Sequence, residues 1–401
     1  MSKLRSRTLP RLLALVSALA VFGALGPAST PGSAQSAAQT TSRNTPQRGV
    51  AVSRPATDSS FARLIQRLSE SGGFFDSDNL ISNESSYLHV LGGMSRLGVR
   101  GGAYVGVGPD QNFSYITRVR PSIALLIDIR RDNLLQHFMF KALFEMAANR
   151  AEFLCLLFGR PVPRDAARWQ GRTVEQLIAY IDATPAQPRL AAQTAAAIRA
   201  RTIDYRLPLS QTDLETIARI YDSFVSAGMD LRFTSANRPP RPWYPTYRQL
   251  LLETDLSGKR ANYLVTENDF QFLKGMQERN LIVPVVGDLA GDRALAAIGA
   301  YIAGRGEKVS AFYTSNVEFY LFRDGSFDRF VKNVGRLPHD GRSVIIRSYF
   351  GGPFREPHPR AVAGYYSTQL LQTVESLLAD HAAGGYPTYW DLITKHTLEL
   401  K

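Results

Sequence analysis

The sequence predicts an α/β fold: a doubly wound, mostly parallel sheet interrupted by a large helical insertion. Three observations predict it. Gly101–Asn133 reads as a short strand, a glycine turn, a helix and a second strand ending in an acid. Three further apolar runs rich in β-branched and aromatic residues follow downstream at regular spacing, with helical stretches among them. Near-continuous apolar runs are what a parallel sheet buried on both faces requires, and their alternation with helices makes a doubly wound topology the economical one.

Residues 1–34 read as an export signal. Lys3, Arg5, Arg7 and Arg11 precede the apolar run Leu12–Leu25, and small residues with a cleavage position near Ala34 follow. A run of about fourteen residues is short for a bilayer span. Ser6 splits Arg5 from Arg7, so a twin-arginine signal is not supported, and no cysteine lies near enough for a lipid anchor. The expected location is exported, periplasmic or secreted, with no membrane span after cleavage. Residues 35–60 are Ser, Thr, Ala, Gln, Arg and Pro with almost no large apolar side chain, and read as a disordered linker.

The ordered domain is expected over 61–401. Phe61, Leu64, Ile65 and Leu68 recur at helical spacing, and Gly72-Gly73 ends that helix. A loop and a helix bearing Leu88, Leu91 and Met94 follow. Asn83 and Glu84 precede that helix, where they can cap it or reach a ligand crevice. The first strand is expected over Ala103–Val107, the helix over Asn112–Arg120 and the second strand over Ile123–Ile127, followed by Asp128. Gly106 and Gly108 allow a tight turn and close approach of the backbone to a ligand. Asp128, about twenty residues on, has the spacing of an acid that accepts from a ribose hydroxyl pair.

Leu134–Phe158 reads as one long amphipathic helix carrying His137 and Cys155 as packed residues. From about 160 to 255 the chain is mostly helical with proline-rich breaks, including Pro239–Pro245, and is expected as an insertion lying over the sheet edge. Trp243, Tyr244 and Tyr247 can line a pocket there. The later strands are expected over Leu281–Asp288, Val309–Asn316 and Arg342–Tyr349, then a helix over Thr368–His381. Gly106, Gly108, Asp128, Asp288, Ser315 and Asn316 all fall at carboxyl ends of strands, where ligands of such sheets bind.

Composition narrows the function. At 401 residues, 44% hydrophobic and 20% charged, the chain can bury a substantial core. Cys155 is the single cysteine, which excludes an intramolecular disulfide and a cysteine metal cluster. The histidines lack the pairing of a zinc site, so no metal is expected. The formal charge of +12 falls by four without the signal segment. No basic run interleaved with aromatics marks a nucleic-acid partner. The expected partner is a small molecule, and weak attraction to an anionic membrane surface is compatible with the charge.

The segments YVGVGPDQN and IALLIDIRRDNLLQHFMFKALFEMAANRAEFLCLLFG resemble class I S-adenosylmethionine-dependent transferases with the Rossmann-like methyltransferase fold. More narrowly, they resemble the betaine-lipid type aminocarboxypropyl transferases. A group of uncharacterised exported bacterial proteins is similar through GVGPDQN-like and SNVE-like segments. The resemblance implies S-adenosylmethionine as cofactor, with Gly106, Gly108 and Gln111 cradling its methionine part, Asp128 on the ribose and Asp288 at the adenine. It also implies that Ser315, Asn316 and Glu318 border the reacting centre, with Glu318 or Asp110 as base. Asn83, Glu84 and Tyr244 are the expected substrate-binding residues. The chain departs from the family pattern on the first strand, where Tyr104 and Val105 stand in place of the usual acid, and at Gln111, which stands in place of a glycine. The implied activity is methyl or aminocarboxypropyl transfer in the bacterial envelope. The alternative is an exported, non-catalytic small-ligand-binding protein with the same fold. A hydrolase is disfavoured, since no Gly-x-Ser-x-Gly elbow is present.

Overall fold

The computed structural model describes residues 57–235, 241–351 and 357–401. The expected export signal and most of the expected linker, together with Pro239 and Pro240 of the proline cluster, lie outside the described residues. Helix α1 (Asp58–Leu68) starts ahead of the expected boundary at Phe61, because the Thr57 side chain accepts from the Ser60 amide and caps it. A 3-10 turn (Tyr87–Val90) and α2 (Leu91–Arg96) lead into β1 (Ala103–Gly106), α3 (Gln111–Val119) and β2 (Ile123–Asp128). Seven helices then precede β3 (Ile282–Val286): α4 (Arg131–Met146), α5 (Arg150–Leu157), α6 (Val174–Ala183), α7 (Pro188–Asp204), α8 (Gln211–Ala227), α9 (Tyr247–Leu251) and α10 (Glu267–Glu278). The chain closes with α11 (Ala294–Gly304), β4 (Val309–Ser315), α12 (Val317–Arg323), α13 (Phe327–Val334), β5 (Val344–Phe350), β6 (Ser367–Thr373), α14 (Val374–Ala382) and α15 (Tyr389–Thr394).

The six strands form one sheet in the order β3-β2-β1-β4-β5-β6. All neighbours are parallel except β5 and β6. The chain therefore adds β2 and β3 on one side of β1, then returns to add β4 and β5 on the other. That reversal leaves a gap above β1 and β4 where no connection crosses, which is the ligand position of doubly wound sheets. Every residue of β1, β2, β3 and β5 is buried, so both faces of the sheet are covered.

Three expectations need correction. Ser367–Thr373, read as the start of a helix, is strand β6, paired antiparallel to β5 from Val344↔Thr373 to Phe350↔Ser367. Its leucines suit a helical stripe, but Gln369 and Gln372 bond Ser348 and Arg347 of the neighbouring strand, and this pairing overrides local preference. The long helix after Asp128 is two helices, because Asn149 takes an extended conformation and caps α5 through the Glu152 amide. Nor is α4 amphipathic: its residues from Asn133 to Phe144 are all buried. The reason lies in the helices after it, since α7 and α8 pack against α4 rather than over the edge of the sheet. Cys155 is buried in α5, and burial pushes its thiol up to about 12.

The turn between β1 and α3 positions everything above the sheet. Asn112 is fully buried, and its side-chain amide donates to the carbonyls of Val107 (2.8 Å), Gly108 (3.2 Å) and Pro109 (2.8 Å). Its oxygen accepts from the Tyr104 hydroxyl at 2.7 Å. A Cβ on Gly106 would lie 2.0 Å from that oxygen, so this glycine makes room for Asn112 rather than for a ligand. Gly106→Ala is expected to cost about 2–3 kcal/mol in chemical denaturation, because the amide must leave its carbonyls or the backbone must shift. A variant as stable as the parent would show that Asn112 does not hold the turn.

Candidate functional site

A cavity of about 320 Å³ opens over the carboxyl ends of the strands around the β1–β4 reversal. Its walls include Gly108, Gln111, Asp128, Asp288, Ser315 and Asn316, and also Asn83, Glu84 and Tyr244. Residues from six separate stretches of sequence are thus brought together. Gly106, Asp110 and Glu318 are not among the walls. Gly108 has φ +80°, a conformation that costs glycine nothing and strains any other residue.

Asp128 ends β2 with its carboxylate nearly buried. One oxygen accepts from the Arg130 amide (2.9 Å) and Nε (3.2 Å), and the other from Arg130 Nη2 (3.1 Å). Oδ2 thus accepts a single bond and keeps capacity for a ligand hydroxyl. Arg130 also donates through Nη1 to the carbonyls of Ser77 (3.2 Å) and Asp78 (2.9 Å). This one side chain therefore ties the end of β2 to a strap, residues 74–79, that forms one wall of the cavity. Asp78 continues the tie, accepting from the Thr234 amide and hydroxyl. Asp288 accepts from the Ala290 amide at 2.9 Å, and its own amide donates to Glu70. The Glu70 carboxylate also takes the Arg293 and Ala294 amides (3.1 Å each) and so caps the start of α11.

Glu84 does not cap the helix that follows. Its side chain is 1% exposed, on the cavity wall, and its carboxylate accepts from the Ser315 hydroxyl and from Gln369 Nε2 at 2.7 Å. Ser315 itself has φ +54°, at an irregularity in the β4–β5 pairing. Gln111 donates from Nε2 to the Tyr313 hydroxyl at 2.9 Å, while its Oε1 is buried without a partner. Burial and the neighbouring Glu84 push the Tyr313 hydroxyl well up, so it stays protonated.

Both residues expected as bases lie elsewhere. The Asp110 carboxylate faces away from the cavity and accepts from the hydroxyls of Tyr247 (2.7 Å) and Tyr263 (3.0 Å). Burial raises it from 3.8 to about 6, against the lowering effect of those two bonds. Glu318 is fully buried and takes two bonds from Arg347, from Nε at 2.9 Å and Nη2 at 3.1 Å. Thr314 and Gln372 complete that cluster, which joins α12 to β5 and β6. Tyr247, expected at a pocket, belongs instead to the Asp110 cluster. His137 packs as expected, its Nε2 donating to the Gly108 carbonyl at 3.0 Å, and burial pushes it down to about 4.

Sequence reasoning missed Arg130 and Gln369. Arg130 carried a signal, since it stands two residues after Asp128 in IDIRRDN, within reach of it along an extended chain. Gln369 carried none, because its segment reads as a helix. Among the described residues no group of three His, Cys, Asp or Glu could hold a metal ion, and no helix is long and apolar enough to cross a membrane.

A sequence profile of a family described as Domain of unknown function (DUF7790) matches residues 80–165 and 178–397. Those spans include every cavity residue expected from the sequence. No curated protein matches the chain.

Two consequences are open to measurement. Glu318→Gln leaves the buried Arg347 without its countercharge, and is expected to lower stability by about 3 kcal/mol while leaving ligand binding in the cavity unchanged. Denaturation and titration of the same variant check both halves. Asp110 holds its proton more tightly folded than unfolded, so its contribution is complete at low pH and is lost as pH rises from about 4 to about 6. His89 and His137, both pushed from 6.5 down to about 4 by burial, act with the opposite sign, so their contribution is lost as pH falls through that range. Asp110→Asn removes the opposing group, and stability should fall more steeply from pH 6 to pH 4, by of order 3 kcal/mol more than in the parent. Parallel curves would assign Asp110 an ordinary titration.

Proposed function

We propose that this chain, which belongs to the family described as Domain of unknown function (DUF7790), is an S-adenosylmethionine-dependent transferase that moves a methyl or aminocarboxypropyl group to a small acceptor. The observation that carries the reading is one cavity at the strand-order reversal that collects Gly108, Gln111, Asp128 and Asp288. In it Asp128 keeps one oxygen able to accept from a ribose hydroxyl, Asp288 lies at the end of β3 for the base, and the Gly108 turn offers a close backbone approach. The buried, unpartnered Gln111 Oε1 asks for a ligand donor. The bound donor supplies a carbon made electrophilic by its sulfonium, and the protein's contribution is to hold acceptor and carbon together in a crevice. Neither Glu318 nor Asp110 reaches that crevice, so neither is the base.

A second reading, an exported non-catalytic protein that binds a small ligand in the same cavity, is favoured by Arg130. It already engages both oxygens of Asp128, and a ribose would share that carboxylate with it.

Calorimetric titration of the folded protein with S-adenosylmethionine and S-adenosylhomocysteine separates the two. The transferase reading expects micromolar binding of both, weakened at least about tenfold by Asp128→Ala. No heat from a folded parent protein removes it and leaves the second.

A further inference from the structure

We propose that the cavity floor at the β1–β4 reversal is a subsite for a primary ammonium group, held between the Glu84 carboxylate and the Gln111 side-chain carbonyl. The first observation is the state of Glu84. Glu84 is 1% exposed, and the donors to its carboxylate, the hydroxyls of Ser315 and Tyr313 and the Gln369 amide, are all neutral. A buried carboxylate without a countercharge is costly, and a cation arriving through the cavity removes that cost.

The second observation is independent of charge. Gln111 is 6% exposed on the same wall, its Nε2 is committed to Tyr313, and its Oε1 has no partner. That oxygen can only accept, so the missing group is a donor. The Tyr313 hydroxyl bonds Gln111 and lies close enough to Glu84 to be pushed up by it, which brings the orphaned carbonyl and the carboxylate to one place. Two acceptors, one of them charged, match an N–H-bearing cation.

The third observation is the pairing of the cations nearby. Among the described lining residues the two guanidinium groups, those of Arg130 and Arg323, are paired with Asp128 (3.1 Å) and Asp324 (2.9 Å), so neither supplies a countercharge to Glu84. A quaternary ammonium meets the charge but not Gln111, and an alcohol meets Gln111 but not the charge.

The subsite goes beyond the transferase reading, because it does not depend on what fills the Asp128–Asp288 end. Its ammonium can be the amino group of an amino-acid-bearing donor or that of a separate amine acceptor.

The test uses three probes of equal size on the full chain: n-butylammonium, n-butanol and tetramethylammonium. Butylammonium is expected to bind at least about tenfold tighter than either other probe, and to lose at least about tenfold in Glu84→Gln and in Gln111→Met. Equal binding of butanol or tetramethylammonium overturns the proposal, as does an unchanged affinity in a folded Glu84→Gln variant. If that variant does not fold, the three-probe comparison on the parent protein still decides. Competition assigns the source. Displacement of butylammonium by S-adenosylhomocysteine, but not by 5′-methylthioadenosine, which lacks the amino-acid ammonium, places the ammonium on the donor. Displacement by neither, with both nucleosides bound, places it on an acceptor. Failure of both nucleosides to bind, with butylammonium bound, removes the transferase reading and leaves the subsite standing.

Discussion

The buried amide of Asn112 is the constraint on which the upper surface of the sheet depends. A chain leaving β1 must reverse into α3 within a few residues, and three consecutive carbonyls are turned inward where water does not reach. One side-chain amide reaches all three, His137 adds a bond to Gly108 and the Asn112 backbone amide one to Pro109, and Tyr104 from the strand itself fixes the Asn112 side chain from behind. The geometry is possible only with glycine at 106, and its continuation needs positive φ at Gly108. Once the turn is set, the first residue of α3, Gln111, stands on the cavity wall and Asp110 is turned into the tyrosine cluster. A glycine pattern usually read as making room for a ligand thus has two distinct causes, one internal packing and one backbone conformation.

What could be read from the sequence follows from how local each cause is. The five parallel strands were legible because a strand buried on both faces must be largely apolar, and that demand shows in one short segment. The strand β6 was not, because its buried polar residues answer to Arg347 and Ser348 on β5, more than twenty residues earlier. Placement at a strand's carboxyl end was legible for Asp128 and Asp288, and both line the cavity. The direction of the side chain was not. Asp110 and Glu318 sit within a few residues of the crevice, yet each is turned aside by partners far along the chain, Tyr247 and Tyr263 for one and Arg347 for the other. Proximity in sequence to a site residue carries no information about such partners.

The helices between β2 and β3 show a similar non-local cause. Viewed alone, α4 has apolar residues all round and would expose a broad greasy face in a simple two-layer fold. With α7 and α8 packed on that face it becomes a core element, and even Lys141 is drawn inside. That lysine survives burial by pairing with Glu145 at 2.7 Å, by donating to the Gln277 carbonyl and by lying over the rings of Phe61 and Tyr205. The insertion is therefore structural in its first duty. Its later segment, which contributes Phe233, Ser235 and Tyr244, also reaches the cavity.

Fold and site meet most closely at β6. An antiparallel strand added to an open parallel sheet normally needs apolar residues to cover the edge, yet this one brings Gln369 and Gln372 into the interior. Each glutamine serves a charged group: Gln372 accepts from Arg347 at 2.6 Å, and Gln369 donates to Glu84 at 2.7 Å. In the first case the cluster is closed, because Arg347 also finds Glu318 and the charges balance. In the second it is open, because the carboxylate has neutral donors on its protein side and a cavity on the other. Two buried charged groups, held by glutamines three residues apart on one strand, thus have different surroundings. The balanced pair fastens α12 to the sheet, and the Glu84 carboxylate meets neutral donors alone among the described residues, on the wall of the cavity.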